Sequence, residues 1–550
     1  MRINSLRCWR WTWVAFMVVA TSVPYLVNYL LTPRGFHYTW IVPPFPQDSL
    51  GYQAWSEQAA RGSLLFKIKY TAIPHSPFLF HPLFLACGLI SSLLGCEIGV
   101  VHFFVKAVGV VLFFWVFFWY IDYLQLNRLQ SIIATILVGV SSGCGWLTLK
   151  LGFVPDSIFS GPIDLNIPES NTFWSLLWNP LFPYSLALLV LSIFLVDRGT
   201  RQARNRDLWL SGFCIGLMAL IHPYLVPLLL AVGILVIAIR HRRRATVYLL
   251  RFLAPTIPFA LWTFAAVALN PVAAMHSLSG RMESPSPLSY VLGLGIPLLP
   301  TLGGLLGHGR KLISSYWQLL LWVAVSVVFT FLPFWFQRKF IFGIHVPLCI
   351  LAAVVVDWSL ARISGKRMRQ WVLAGSAILL LPLLVSTQLF LFAAHRRIVR
   401  QNVDGVYYVG TDMLNALTFL KHDSNPDDIV FATYSTSQLI PAFSGNTVVW
   451  GHWAMSVDFD RRTEWVSNIF DPQSDCDPAK RSREFWGAGI KFILADGELK
   501  QWIGKMHPAW LTKGTDKVFQ NTAVTIYRKR DNGKSLSSVP SAQVDKAARL

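Results

Sequence analysis

The sequence predicts a polytopic α-helical membrane protein that carries a small α/β domain near its C-terminal end. The chain has 550 residues, of which 54% are hydrophobic and only 14% are charged, whereas soluble domains carry about 25% charged residues. Apolar stretches recur between residues 11 and 394, and several reach the ~20 residues that a spanning helix needs. After residue 400 the apolar runs shorten to strand length and charges become frequent, which is typical of a folded α/β domain.

The net charge of +20 does not predict a nucleic-acid partner. Many of the Lys and Arg residues lie in short loops beside apolar stretches, where they set the orientation of membrane helices. The seven cysteines are scattered, with no CxxC pair and no metal-ligand spacing. We therefore predict buried thiols and no disulfide framework.

We predict about eleven spans, with the N-terminus cytoplasmic and the C-terminal domain extracytoplasmic. Basic clusters mark the cytoplasmic side; they lie at residues 2–10, 198–206, 240–244, 309–311 and 362–369. The spans between and around them are predicted at 11–31, 100–123, 129–149, 174–196, 207–221, 224–240, 247–269, 288–306, 313–335, 340–361 and 371–394.

Two segments allow a second interpretation. Residues 78–95 are apolar enough for another span, but that span would move the cluster at 198–206 to the outside, so we predict an interfacial or re-entrant helix. Residues 11–31 could belong to a signal peptide. We predict a retained first helix because the run is long for a signal sequence and lacks a clear A-x-A site.

This topology predicts three large outer pieces, namely residues 32–99, residues 150–173 and everything after residue 395. We divide the chain into a membrane module (1–399), an extracytoplasmic α/β domain (400–530) and a disordered tail (531–550). In the α/β domain, strands are predicted at 428–433, 447–450, 491–495 and 524–528, and helices at 411–422, 436–443, 461–470 and 481–486.

Asp48 in the first outer loop is the leading candidate for a catalytic group. It follows Pro43-Pro44-Phe45-Pro46-Gln47, and Tyr52, Trp55 and Ala59 then recur at helical spacing. We expect a helix on the membrane surface with Asp48 near its start. A carboxylate there can serve as a general base. The alternative is a helix N-terminal residue that the helix dipole favours.

Further candidates lie in other predicted outer segments. Glu169 and, less prominently, Asp164 lie in the second outer loop, where the alternative is a capping or solvated residue. Arg338 and Lys339 form a basic pair that departs from the positive-inside pattern. They could hold a phosphate, or they could be anchors that snorkel at a helix end.

His222 interrupts a nearly continuous apolar run in His222-Pro223-Tyr224, so it is expected at the outer turn of a helical hairpin. It could act at a site or be a hydrogen-bonded core residue. The sequence has no Walker A motif and no GxGxxG after a strand. An activated group therefore has to arrive by another route.

The arrangement resembles bacterial integral-membrane glycosyltransferases of the GT-C superfamily. The resemblance covers most of residues 1–530. Its motifs are Asp48 with the helix that follows it, His81-Pro82-Leu83, His222-Pro223-Tyr224, Arg338-Lys339-Phe340 and Gly451-His452-Trp453-Ala454.

The resemblance implies a GT-C-like fold and sugar transfer at the outer face of the bacterial inner membrane. The donor would be a sugar on a polyprenyl phosphate, and the acceptor an envelope glycan, lipid or protein. Asp48 would deprotonate the acceptor, which would attack with inversion, while Arg338 and Lys339 would stabilise the departing lipid phosphate. Glu169, with Asp164 or His222, would position the acceptor or assist a metal.

The sequence also departs from the family pattern. Many members carry paired acidic residues in the first loop, whereas Asp48 stands between Gln47 and Ser49. A divalent cation therefore stays an open alternative, and no metal ligand is assigned. Two other functions also stay open, a transporter or flippase of a lipid-linked glycan and a non-catalytic envelope scaffold.

Overall fold

The computed structural model describes residues 2–152, 161–279, 282–471, 477–506, 511 and 514–530. The predicted tail at 531–550 and part of the second predicted outer loop lie outside these residues. The helices up to residue 400 are α1 (Arg2–Leu30), α2 (Pro46–Ala60), α3 (Pro82–Leu94), α4 (Ile98–Tyr123), α5 (Arg128–Val140), α6 (Gly145–Lys150), α7 (Ile163–Asn166), α8 (Thr172–Leu177), α9 (Leu181–Arg201), α10 (Asn205–Ile221), α11 (Val226–Arg240), α12 (Ala245–Leu253), α13 (Ile257–Ala268), α14 (Pro271–Ser279), α15 (Pro287–Phe331), α16 (His345–Ala361) and α17 (Lys366–Arg400).

Three short 3₁₀ turns lie between these helices and matter for the site described below. They are η1 (Pro168–Ser170), η2 (Pro223–Leu225) and η3 (Gln337–Ile341). Turn η1 precedes the short helix α8, while η2 and η3 precede α11 and α16.

Among the described residues, seven helices are long and apolar enough to cross a bilayer, or eight if α12 and α13 form one broken span. The protein is therefore a multi-pass helical membrane protein, but the count of eleven spans is not confirmed. Each predicted span overlaps a helix, and the difference lies in the lengths. Helix α5 has 13 residues and α10 has 17, fewer than the ~20 needed for a crossing.

The other differences in the count come from bent helices. Helices α12 and α13 meet at an angle of 54°. The spans predicted at 288–306 and 313–335 fall in the single 45-residue helix α15, whose backbone leaves helical angles at Gly295, His308 and Tyr316. Breaks of this kind are invisible to a count of apolar residues.

Helix α3 covers the segment predicted to be interfacial or re-entrant, and that placement stays a prediction. Its 13 residues span about 20 Å, which is too short for a hydrocarbon core of ~30 Å. The His81 side chain caps its start by accepting the backbone N–H of Phe84, and Gly95 ends it in a left-handed conformation at φ 62°.

Helix α2 differs from the expected surface helix because it is covered on more than one side. Tyr52 and Trp55 pack against Phe84 of α3, with ring centroids 4.7 and 5.8 Å apart. Polar residues elsewhere on the helix, among them Gln53 and Glu57, are also buried. The C-terminal domain covers the other side of α2, and the sequence did not indicate this contact.

The C-terminal domain contains a mixed five-stranded sheet in the order β4-β3-β5-β7-β6. Strand β3 is parallel to β4 and β5, while β7 is antiparallel to β5 and β6. The strands are β3 (Ile429–Phe431), β4 (Thr447–Val448), β5 (Ile490–Ala495), β6 (Thr515–Gln520) and β7 (Thr525–Lys529), and the helices are α18 (Thr411–Asp423), α19 (Tyr434–Phe443), α20 (Phe459–Phe470), α21 (Pro478–Gly487) and α22 (Gly497–Met506).

These elements overlap all four predicted strands and all four predicted helices. Helix α22 and the edge strand β6 were not predicted. Strand β6 has a largely polar sequence, Thr-Asp-Lys-Val-Phe-Gln, and much of it is exposed. Strand propensity and an apolar pattern are therefore weak there.

The domain is attached to the first loop of the membrane module. Strands β1 (Phe36–Tyr38) and β2 (Tyr408–Gly410) form a small antiparallel sheet. Glu57 of α2 accepts an ion pair from Lys421 of α18 at 2.8 Å. Lys69 pairs with Asp427 at 2.9 Å. The first loop and the C-terminal domain thus share one end of the helical bundle.

Arginine–aspartate pairs connect helices at the opposite end of the bundle. Arg10 of α1 pairs with Asp122 of α4 at 2.5 Å, and Arg240 of α11 pairs with Asp197 of α9 at 2.6 Å. Arg198 also pairs with Asp207, at 2.6 Å. Some residues of the basic clusters therefore join helices as well as supplying the charge from which the topology was predicted.

Candidate active site

Asp48 lies in the first turn of α2, at the end of the bundle that carries the C-terminal domain. Pro46 occupies the beginning of the helix, and Phe45 before it is in the left-handed region at φ 58°. The helix dipole favours a carboxylate in the first turn. The Asp48 side chain is 28% exposed, so it can meet a substrate.

His452 of the C-terminal domain approaches this carboxylate. Its Nε2 lies 3.3 Å from Asp48 Oδ1. The other ring nitrogen, Nδ1, accepts the backbone N–H groups of Ala454 and Met455 at 3.1 and 3.3 Å. Because Nδ1 is an acceptor, the proton of a neutral ring belongs on Nε2, the nitrogen nearest Asp48. The approach of Nε2 to Asp48 has the distance of an ion pair but not the geometry of a hydrogen bond. His452 is 1% exposed, so this orientation is fixed by packing.

Two glycines permit this approach. Gly451 precedes His452 with φ 151°, and a Cβ there would lie 2.9 Å from the Ser437 carbonyl. Gly51 is one helical turn after Asp48, and its Cβ would lie 2.8 Å from Met455 Cε. Small residues on both sides therefore allow the loop at 451–456 to contact α2 directly.

His276 of α14 is a second histidine near this position. Its Nδ1 donates to the Ala454 carbonyl at 2.8 Å, and it interacts electrostatically with both His452 and Asp48. Burial lowers the pKa of His276, which favours the neutral ring. His276 was not among the candidates predicted from the sequence.

The second part of the site is a buried ion pair between Glu169 and Lys339. Lys339 Nζ of η3 is 2.5 Å from Glu169 Oε1 of η1, and the Glu169 side chain is only 2% exposed. Burial alone would raise the pKa of Glu169, but Lys339 and Arg338 together outweigh it and lower that pKa. Glu169 is thus held as a carboxylate between two cations.

Tyr52 connects the two parts of the site. It lies one turn after Asp48 on α2, and it interacts electrostatically with Asp48, Tyr224 and Glu169. Burial, followed by these neighbours, raises the pKa of Tyr52 well above its ordinary value. Its hydroxyl therefore stays protonated and can donate a hydrogen bond. Asp48 and the Glu169–Lys339 pair share this residue as a common neighbour.

His222 lies behind the charged pair. Its Nδ1 is 3.1 Å from Ser185 Oγ, and its ring packs near Phe182 and Phe342. It interacts electrostatically with Lys339 and Glu169. His222 is only 4% exposed, so it has little access to a substrate. Its position suits a supporting contact with the Glu169–Lys339 pair.

Asp164 has a different environment. It is fully buried, and its Oδ2 accepts the backbone N–H of Gly145 at 3.1 Å and the hydroxyl of Thr387 at 2.9 Å. Burial raises the pKa of Asp164 to about 7. These contacts join α6, α7 and α17, so a structural role explains Asp164 without a part in the site.

The charged side chains of the site do not fit a divalent cation. Within the part of the chain that the structure describes, no group of three or more His, Cys, Asp or Glu side chains is arranged to hold a metal ion. Glu169 is already engaged by Lys339, and Asp48 Oδ1 lies 3.3 Å from His452 Nε2. We therefore derive no step through a metal.

No protein-family model matches this sequence, and no curated protein matches it. The fold is similar to that of a variant of the arabinofuranosyltransferase AftD from Mycobacteria, with 14% identity and a TM-score of 0.52. That comparison covers 94% of this chain and 41% of AftD. The chain is thus similar to AftD in fold.

Two further solved structures are similar at lower scores. One is an oligosaccharyltransferase from Archaeoglobus fulgidus, with 12% identity, a TM-score of 0.49 and coverage of 95% of this chain and 74% of that one. The other is ArnT from Cupriavidus metallidurans bound to undecaprenyl phosphate, with 12% identity, a TM-score of 0.47 and coverage of 94% and 98%.

Proposed function

We propose that this protein is a membrane glycosyltransferase. It moves a sugar from a polyprenyl-phosphate donor to an envelope glycan, lipid or protein acceptor. The reaction takes place at the outer face of a bacterial inner membrane. One observation carries the proposal: the partly exposed carboxylate of Asp48 and the buried carboxylate of Glu169 both interact electrostatically with the same tyrosine, Tyr52. Glu169 in turn interacts with the cations of Lys339 and Arg338. Such a site has a base and an anion-binding group within one membrane-embedded fold.

The chemistry assigned to these residues is a single displacement. The acceptor hydroxyl or amine gives its proton to Asp48 as its oxygen or nitrogen bonds to the anomeric carbon. The bond from that carbon to the phosphate oxygen breaks, and the electron pair leaves with the lipid phosphate. Because the acceptor attacks opposite the leaving group, the configuration inverts. Arg338 and Lys339 stabilise the negative charge that develops on the phosphate.

Other residues support these two roles. Glu169 orients Lys339 through their ion pair. Its negative charge also offsets the positive charge of Lys339 and Arg338 before negative charge develops on the departing phosphate. His452 holds Asp48 from the side of the C-terminal domain. This gives the domain a part in the reaction, because it closes the site over α2 and supplies a group that positions the base.

The test uses purified protein in nanodiscs with a panel of radiolabelled polyprenyl-phosphate sugars and a membrane extract as the source of acceptor. Loss of label from the lipid is followed for the wild type, for Asp48→Asn and for Asp423→Asn. Asp423 is an exposed control at the end of α18. We expect transfer from one donor by the wild type and the control, and transfer at least about 10²-fold slower by Asp48→Asn.

Two other outcomes would contradict the proposal. Tight donor binding without transfer, even with varied extracts, favours a transporter or flippase of the lipid-linked glycan. Neither binding nor transfer across the panel favours an envelope scaffold.

A further inference from the structure

An apolar cavity lies apart from the residues assigned to transfer. It has a volume of about 280 Å³ and lies between α1 and α17, with α8 along one side. Both α1 and α17 contain candidate spans, so the cavity lies at the depth of the bilayer. Its walls are mainly aliphatic and aromatic side chains, among them Val23, Val27, Leu177 and Phe392.

The cavity extends along the helices toward the end that carries the C-terminal domain. On α1 it is lined from Ala20 to Asn28, a rise of about 12 Å. Val42 and Pro43 of the first loop also line it, and the same loop leads into α2 and Asp48. The cavity therefore runs from within the membrane to a wall formed by the catalytic loop.

One side of the cavity faces the surrounding membrane. Leu389 of α17 lines it and is 64% exposed. Gln388 makes hydrogen bonds to the Val140 carbonyl at 2.8 Å and to Ser142 Oγ at 3.2 Å, so its amide is satisfied by protein. An apolar space at this depth excludes water, and the surrounding medium that can fill it is lipid hydrocarbon.

A positive charge lies at the end of the cavity nearest the C-terminal domain. Arg396 lines it and is exposed, and His395, next to it, packs against Trp174 with ring centroids 4.7 Å apart. Arg397 follows on the last turn of α17. A basic residue also complements a helix C-terminus, but that role does not require Arg396 to line an apolar cavity.

We propose that this cavity binds one acyl chain of an anionic phospholipid from the surrounding bilayer, with the lipid phosphate at Arg396. The aliphatic walls match the chain, and the guanidinium matches the phosphate, to which it can donate two hydrogen bonds. The site is separate from the phosphate position assigned to Arg338 and Lys339. Its existence does not depend on the sugar-transfer proposal.

The test measures lipid binding without any sugar. The protein is placed in nanodiscs that contain a small fraction of phosphatidylglycerol with a photoactivatable acyl chain, and cross-linked peptides are mapped by mass spectrometry. We expect labelling on α1 and α17 at residues lining the cavity. Arg396→Gln should reduce it about tenfold, because a charge-assisted contact is lost. Arg397→Gln, on the same turn, should leave it unchanged.

A second variant tests the cavity itself. Val27→Trp fills the space without altering charge and should abolish labelling there, while the purified protein keeps its melting temperature within a few degrees. Equal labelling by phosphatidylcholine and phosphatidylglycerol probes would overturn the assignment of Arg396. Displacement by unlabelled polyprenyl phosphate at lower concentration than by phosphatidylglycerol would assign the cavity to the carrier lipid and overturn the phospholipid proposal.

Discussion

Asp48 and His452 come from opposite ends of the chain, and their approach shows what residue patterns can and cannot indicate. The proline-rich approach to Asp48 and its place after the first apolar run made it a candidate from sequence alone. The role of His452 depends on the C-terminal domain docking against α2, where Gly51 and Gly451 leave room. The sequence signal was the motif Gly451-His452-Trp453-Ala454, which was interpreted as a buried turn or a sugar-stacking loop and not as a partner of Asp48.

The contact between His452 and Asp48 leads to a prediction about turnover. His452→Phe removes the ring nitrogen that lies 3.3 Å from the carboxylate, and we expect kcat to fall about tenfold or more because the base is no longer held in position. The KM for the donor should change little, since the residue is not assigned to the donor phosphate. Rates measured at saturating donor check this prediction.

Two further variants serve as its controls. His452→Gln retains a side-chain N–H and should recover part of kcat. His422→Phe alters an exposed histidine of α18 and should behave as the wild type. A uniform loss of folded protein in both His452 variants would show a structural role instead.

At the scale of elements, the sequence predicted the positions of helices and strands along the chain. It did not predict which side chains these elements bring into contact. Arg338 and Lys339 were singled out because their charge departs from the positive-inside pattern, and Glu169 because of its loop. Their pairing through η1 and η3 was not predicted. Short 3₁₀ turns have no periodic signature, so tertiary packing alone sets which side chains they bring together.

Breaking the Glu169–Lys339 pair should destabilise the protein. Glu169→Gln leaves the ammonium group of Lys339 in a poorly solvated place, and we expect a loss of about 3–5 kcal/mol in the free energy of unfolding. The double variant Glu169→Gln/Lys339→Met should recover part of this loss. Glu464→Gln, on the exposed side of α20, is the control, and thermal unfolding is the measurement.

The same pair gives a direction for the pH dependence of stability. The pKa of Glu169 is lowered in the folded protein. The carboxylate therefore contributes its full stabilisation above the ordinary glutamic acid value of about 4.3, and the contribution is lost as the pH falls through the lower folded value. Thermal unfolding of Glu169→Gln should depend less on pH in this range. An unchanged dependence would contradict the assignment.

At the scale of the whole molecule, composition was enough to predict a multi-pass membrane protein with a C-terminal α/β domain. The number of crossings was not predictable, because α5 and α10 are short and α15 continues through two predicted spans. An apolar run shows that a helix is suited to the membrane, but its length and bends follow from its neighbours. The sequence predicted Asp48 and the C-terminal domain on the same side of the membrane, but their direct contact emerged only from the structure.

The proposed orientation can be tested by chemical labelling in intact cells. In a background without the seven native cysteines, Ala523→Cys places a thiol on an exposed turn of the C-terminal domain, and Gln202→Cys places one at the exposed end of α9. A membrane-impermeant maleimide should label Ala523→Cys in intact cells. It should label Gln202→Cys only after the membrane is opened, and the reverse pattern would place the site on the cytoplasmic side.

The most direct measurement of the central claim is single-turnover sugar transfer at saturating donor, with donor binding measured in parallel. If Asp48 is the general base, Asp48→Asn should slow transfer by about 10²–10⁴-fold, while the affinity for the polyprenyl-phosphate sugar stays near that of the wild type. Transfer at the wild-type rate by Asp48→Asn would contradict the account, because the base would then have to be another group.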